Sequence, residues 1–302
     1  AVVLRTGLHL GPIRKVPWLA VREALLNAIV HRDWLPAEPV HITWVQADSS
    51  LDVVSPGGFA GGVTSESVLS ARYSRNPALA DLARAMGLVE RQGVGVDRMY
   101  REMVTLGHRP PIIREEAGPR IRTRLVGGDP LTAVVSVMSA VEPAARQRDV
   151  RVALTVHALL RDGFAHPRTV GHLLQVPESE AEEALDVVAF CAIDAEAAIR
   201  STSGGIWLPA SSAVRRATAD PVALLVAQRR GLLTWWRPDH AGARRLVTRW
   251  LAVTDRISSG DFGDVTSYTA QGALQVLNRL AADGVLRRGE AARGRRAHFV
   301  QA

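Results

Sequence analysis

The stretch EALLNAIVHRDW, residues 23–34, sets a glutamate, an asparagine and a histidine at four-residue spacing inside an otherwise apolar, helix-prone run. At 3.6 residues per turn, Glu23, Asn27 and His31 form one polar stripe, and Leu25, Leu26, Ala28, Ile29 and Val30 cover the rest of the helix. A helix that is apolar around most of its circumference is usually buried, and a buried polar stripe needs partners. The stripe therefore predicts a ligand, a metal or a water cluster facing it; a solvated helix edge is the alternative.

Outward from this stretch, Pro17 stands just ahead of a helix over 18–33, and two strand-like runs follow at 40–47 and 51–55. The glycine-rich PGGFAGG (56–62) stops the second strand. Next comes a helix over 76–86, for which Asn76 is read as the N-cap and Pro77 as the first helical residue. A helix opened by Gly93 and Gly95 and strand-like runs at 111–116 and 119–127 complete an α/β module over 1–130. The chain then turns mainly helical. Helices at 148–163, 169–176 and 178–191 and a hairpin through Gly204 and Gly205 give the order of a winged helix within 131–220. A connector helix and the same order, ending in a hairpin at 285–300, occupy 221–302. The fold class expected is α+β: one α/β sandwich and two winged-helix-like units.

The 302 residues are 47% hydrophobic, enough for two or three domains with cores of their own. A net charge of +7 favours an anionic partner such as nucleic acid. All the basic residues except Lys15 are arginine, which points first to a coding bias. One cysteine, Cys191, excludes a disulfide framework and a cysteine-based zinc site, and suits a reducing cytoplasm. No apolar run reaches the length of a membrane span, so no membrane partner is expected. The chain begins at Ala1 without methionine, from which an absent N-terminal portion is expected.

Four motifs in order, REALLNAIVHRDW, SPGGF, RNPALADL and RQGVGVDRM, resemble the GHKL-like domain of bacterial Schlafen/AlbA-type transcriptional regulators, a group related to the C-terminal part of RecG-like helicases. The resemblance covers roughly residues 15–127. It implies ATP or another nucleotide with Mg²⁺ as cofactor. Asn27 matches the asparagine whose side-chain oxygen holds the metal, and Glu23 matches the glutamate that activates water in hydrolysing members. Gly57 and Gly58 fall in the first glycine box, Gly93 and Gly95 in the second, where backbone N–H groups at a helix start would meet phosphate. His31 and Arg32 fall at the phosphate pocket, with a satisfied core histidine as the other reading of His31. The sequence departs from the pattern at Ser55, which stands where the family has the aspartate that reads adenine; Asp52 lies too early in the strand.

The two helical units differ in charge. The third helix of the first carries Glu178, Glu180, Glu182, Glu183 and Asp186, a poor reader of a phosphate-lined groove, and is expected to be a scaffold or dimerisation unit. The second offers Thr269, Gln271, Gln275, Asn278 and Arg279 on its third helix, beside a hairpin with Arg287, Arg288, Arg293, Arg295, Arg296 and His298 against the single acid Glu290. Polar helix and basic wing together suit double-stranded DNA. Trp235 and Trp236, in the connector, are read as core residues. The expected function is a cytoplasmic, homodimeric DNA-binding transcriptional regulator with a nucleotide-sensing or partner-sensing domain. The alternatives are an ATP-hydrolysing enzyme acting on nucleic acid, and a degenerate GHKL fold kept for protein contacts.

Overall fold

The computed structural model describes residues 15–88, 95–289 and 298–302, together with the backbone of two short N-terminal strands, and shows a mixed α/β chain. Those strands, β1 (Val3–Thr6) and β2 (His9–Pro12), form an antiparallel hairpin that is not among the expected elements. Helix α1 (Trp18–Val30) comes next, followed by β3 (His41–Val45), β4 (Ser50–Pro56), α2 (Pro77–Ala85), α3 (Gly95–Val104), β5 (Ile112–Glu116) and β6 (Arg120–Val126). The four strands make one antiparallel sheet in the order β3-β4-β6-β5, with Val53 opposite both Ile42 and Thr123, and Thr123 opposite Ile113.

Alternation along these strands decides what each face meets. Leu51, Val53, Thr123 and Leu125 point toward the helices and are buried. Asp52, Arg122 and Arg124 share the other face, where Arg122 and Arg124 donate to Asp52 Oδ2 at 3.0 and 3.4 Å. Helix α1 lies on the sheet through Ala20, Ala24 and Ala28, whose small side chains allow a close approach. Its apolar cover is not uniformly buried, contrary to the expectation from its composition: Ile29 remains 45% exposed, while Glu23 is 4% exposed. The helix turns its polar stripe inward, an inversion of the usual pattern.

The remaining chain is α4 (Thr132–Met138), β7 (Val141–Glu142), α5 (Val150–Asp162), α6 (Pro167–Leu174), α7 (Glu178–Ala189), β8 (Ala192–Ile193), β9 (Glu196–Ala197), β10 (Ile199–Ser201), β11 (Trp207–Pro209), α8 (Ser211–Thr218), α9 (Pro221–Arg229), α10 (His240–Leu251), β12 (Ile257–Ser258), α11 (Ser259–Thr266), α12 (Ala270–Ala282), β13 (Leu286–Arg288) and β14 (His298–Gln301). Three helices, α5 to α7, thus precede the β10–β11 hairpin, and three more, α10 to α12, precede β13 and β14. Local signals set the boundaries. Asp149 caps α5 by accepting from Arg151 N–H, and Gly163 ends it in the left-handed conformation. Ser258 and Asp261 form a capping box on α11.

One contiguous apolar cluster runs from Val16 to Phe299. Its large members Phe164, Phe262 and Phe299 are fully buried, each a contribution of about 1.5–3 kcal/mol. Trp235 belongs to this cluster and donates its indole N–H to Leu160 O at 3.0 Å, as a core residue of the connector should. Asp162, buried at the end of α5, accepts from Arg161 and, at 2.5 Å, from Arg249 of α10, which joins the two helical units.

Candidate functional site

A cavity of about 190 Å³ opens between α1, the helix-facing side of the sheet and the segment 57–75. Glu23, Asn27 and His31 line it from α1, and Gly95 from the start of α3. A Cβ at Gly95 would stand 2.7 Å from Glu23 Oε2 and 3.8 Å from Asn27 Oδ1, so a larger residue at the start of α3 would have to displace the Glu23 carboxylate. The fold thus brings together residues far apart in sequence. Gly93 lies outside the described residues.

Within the stripe the three side chains are engaged differently. Glu23 Oε1 accepts from Arg98 Nη1 at 2.8 Å, and both side chains are nearly excluded from water. Arg98 is 75 positions away from Glu23 in sequence and reaches it only through the packing of α3 on α1. One oxygen of this carboxylate is thus engaged by a charged donor. The Asn27 amide, by contrast, has no hydrogen-bond partner among the described residues and faces the cavity half-buried. His31 is held below its ordinary pKa by burial and, secondarily, by the Arg75 guanidinium. Its ring is therefore neutral near pH 7, able to donate from one nitrogen and accept at the other.

The glycines at 57 and 58 have packing reasons of their own. Gly57 has φ +95° and lies so close to Asp33 that a Cβ would come within 2.6 Å of it. Gly58 packs on the Glu115 carboxylate, whose Oε2 accepts from Phe59 N–H at 2.8 Å. Ser55 donates its hydroxyl to Ala28 O of α1 at 2.7 Å, which satisfies a carbonyl near the helix end. The donor of this side chain is spent inside the protein. Asp52 is turned to the opposite face of the sheet by the strand's alternation and cannot replace the missing aspartate.

Asn76 is the N-cap residue of α2 and Pro77 its first residue, as expected, but the Asn76 side chain makes no capping bond: its amide donates to Val30 O and Arg32 O, each at 2.8 Å, and closes the C-terminal end of α1. One expectation about the cavity is corrected. Arg32 does not line the cavity: it donates to Asp33 O, Pro36 O and Glu38 O and lies over Trp34. In its place stand Arg72, Arg75 and Arg84. Arg75 bonds Gly58 O and approaches Asp33 to 3.8 Å, while Arg72 approaches Asp97 to 3.6 Å. Glu23 is the single acid among the described lining residues, and each of the three arginines also approaches an aspartate outside the lining, Arg84 meeting Asp81 at 2.7 Å, which partly offsets their charge.

Thr123 was missed in the sequence. It is 7% exposed, lines the cavity floor beside Val53 and Ile121, and its hydroxyl has no partner among the described residues. The signal was available: in PRIRTRLVG a threonine interrupts the alternating apolar face Ile121, Leu125. Ser74 likewise lines the cavity with a buried, unbonded hydroxyl among the described residues.

In the C-terminal unit, Gln271, Gln275 and Arg279 form an exposed stripe along α12 at four-residue spacing. Arg287 is exposed on β13, and Arg288, also exposed, donates one N–H to Asn278 Oδ1 at 2.8 Å, which leaves its other donors free among the described residues. Thr269 accepts from Gly272 N–H as the cap of α12. Arg293, Arg295 and Arg296 lie outside the described residues. On α7, Glu178, Glu180, Glu182, Glu183 and Asp186 are all exposed.

A sheet covered by helices on one face and a cavity under an inward polar stripe are what an ATPase-like domain presents, and the comparisons agree. Residues 39–122 match the family described as "Putative ATP-dependent DNA helicase recG C-terminal". Residues 132–218 match a family of unknown function, DUF5635. No curated protein matches. A solved structure, the DIP2311 protein of Corynebacterium diphtheriae, is similar at 36% identity and a TM-score of 0.84 over 95% of this chain. The chain spans 50% of the length of that relative.

Proposed function

We propose that this chain is a DNA-binding regulator whose GHKL-like N-terminal domain binds a nucleotide and whose C-terminal, winged-helix-like unit binds double-stranded DNA. The observation that carries the first half is the convergence of Glu23, Asn27, His31 and Gly95 with Arg72 and Arg75 around one cavity. The ATPase-like family match supports it. The donor set fits Mg²⁺ in one respect: the Asn27 oxygen is unengaged among the described residues, and a nucleotide-bound Mg²⁺ takes one or two protein oxygens and completes its shell with phosphate and water. Bound there, the ion would offset phosphate charge. His31 and Arg75 would hold a phosphate, and Thr123 would meet the base. Because Arg98 engages Glu23, the reading favours occupancy over turnover.

Isothermal titration with Mg·ATP and Mg·GTP tests this directly, and both are needed because Ser55 spends its donor on Ala28. One of the two should bind, and Asn27→Ala should abolish the Mg²⁺-dependent part of that binding while the circular dichroism spectrum stays the same. Arg75→Ala should weaken binding by about 10- to 100-fold, the loss of one charge-assisted hydrogen bond. Equal affinity in wild type and Asn27→Ala removes the metal assignment.

For DNA, each phosphate neutralised by an arginine adds about 0.9 to the slope of log K against log salt. Replacing Arg279, Arg287 and Arg288 by alanine should flatten that slope by roughly two to three, equally for a cognate and a random duplex, since phosphate contacts carry no sequence information. Gln271→Ala or Gln275→Ala should instead cost about 1–3 kcal/mol on a cognate site alone. A triple variant with the wild-type slope would show that this face does not touch DNA. The acidic surface of α7 favours a non-DNA role for the first helical unit.

A further inference from the structure

The segment 63–75 has two faces. Val68, Ala71 and Arg72 line the cavity. Facing away from it, the same segment is bonded to Gln175, the residue that ends α6 in a left-handed conformation with φ 58°. The Gln175 amide accepts from Leu69 N–H at 2.7 Å and donates to Ser65 O at 3.1 Å, and its own carbonyl accepts from the Ser70 hydroxyl at 2.6 Å. The side chain therefore spends both ends of its amide on the backbone of the cavity wall. Gln175 lies in the part of the chain that matches DUF5635, and the wall in the part that matches the ATPase-like family.

We infer that Gln175 reports the state of the nucleotide cavity to helix α7, so that a ligand shifting the wall segment 63–75 moves or orders the α6–α7 turn. The inference rests on the nucleotide reading above. Three features support it. First, both bonds of the Gln175 side-chain amide go to backbone groups, so that side chain responds to the conformation of the wall's main chain. Second, only Val176 and Pro177 separate Gln175 from the first residue of α7. Third, that turn is tightly built: Val176 N–H bonds Gly171 O, and a Cβ at Gly171 would stand 2.9 Å from Val176 O. A turn with so little slack passes on a displacement instead of absorbing it. The coupling has physical content only if the ligand binds the two wall positions with different affinity.

Hydrogen–deuterium exchange on the whole chain, with and without Mg·ATP or Mg·GTP, tests the coupling, and calorimetry on the same samples scores binding. In wild type the nucleotide that binds should slow exchange in residues 65–71 and change it in residues 176–189. In Gln175→Ala the response of 65–71 should persist, while that of 176–189 should fall at least threefold. Ser70→Ala, which removes one of the three bonds and leaves the turn intact, should give a smaller loss in the same direction. An undiminished response of 176–189 in Gln175→Ala overturns the coupling and leaves the nucleotide reading standing. So does a wild-type response confined to 65–71. No heat of binding with either nucleotide overturns the nucleotide reading, and the coupling with it.

Discussion

Replacing Arg98 with methionine should destabilise the protein by about 3–5 kcal/mol, the usual cost of leaving one member of a buried ion pair without the other. Glu23 and Arg98 show 6% and 11% side-chain exposure and meet at 2.8 Å, so removing the guanidinium strands a carboxylate where water cannot solvate it. Methionine keeps the length of the side chain and limits the packing loss. Urea unfolding at pH 7.5 measures the effect, with Glu23→Gln and the double variant completing a cycle. The double variant should recover at least half of the loss, because a glutamine beside a methionine leaves no buried charge. A midpoint for Arg98→Met equal to that of wild type would mean that Glu23 is hydrated, and Glu23 would again be a candidate to activate water.

The sequence made α1, the four strands of the first sheet and most of the later helices legible, because their periods and caps are local. The inward stripe of Glu23, Asn27 and His31 was legible for the same reason: four-residue spacing places residues on one helix face in any fold. What escaped depends on long-range packing. Arg98 reaches Glu23 only because α3 lies against α1, and Asn76 reaches Val30 O only because α2 begins beside the end of α1. Arg75 stands next to an Asn-Pro pair that explained a helix start so well that the arginine itself drew no attention. Ser55 stood out as a departure, but its bond to Ala28 O could not be seen without knowing how α1 crosses β4. Thr123 was hidden by the strand alternation that reveals it, since one polar residue on an apolar face is easily read as noise. Residues of the β1–β2 hairpin and the two-residue strands β7, β8 and β9 are too few to show a period.

Acidification from pH 7.5 to 5 should cost the protein about 4 kcal/mol, roughly 2 from each of two buried histidines. His157 in α5 and His108 after α3 both have their pKa lowered to about 4. For His157 burial is the main cause, Arg161 adds to it and Asp162 opposes it; for His108 burial again leads, with Arg230 adding and Asp129 opposing. Neither ring nitrogen of His108, nor Nδ1 of His157, has a hydrogen-bond partner among the described residues. In the unfolded chain both rings titrate near 6.5. Between pH 6.5 and 4 the unfolded state therefore binds more protons than the folded state, and stability falls as pH falls through that window. His31 and His166, also held low chiefly by burial, act in the same direction. Asp97, whose pKa burial raises, opposes them. Carboxylates held low by arginine, such as Glu116 by Arg122 and Asp194 by Arg216, lose their contribution mainly below the window, as pH falls under the unfolded carboxylate range. Urea midpoints at pH 7.5 and 5.0 measure the loss, and leucine at position 108 or 157 should remove about half of it, since an apolar side chain there has no proton to gain. If the variant with leucine at both positions keeps the full pH dependence, the two histidines are hydrated or paired, and the acid sensitivity comes from the carboxylates.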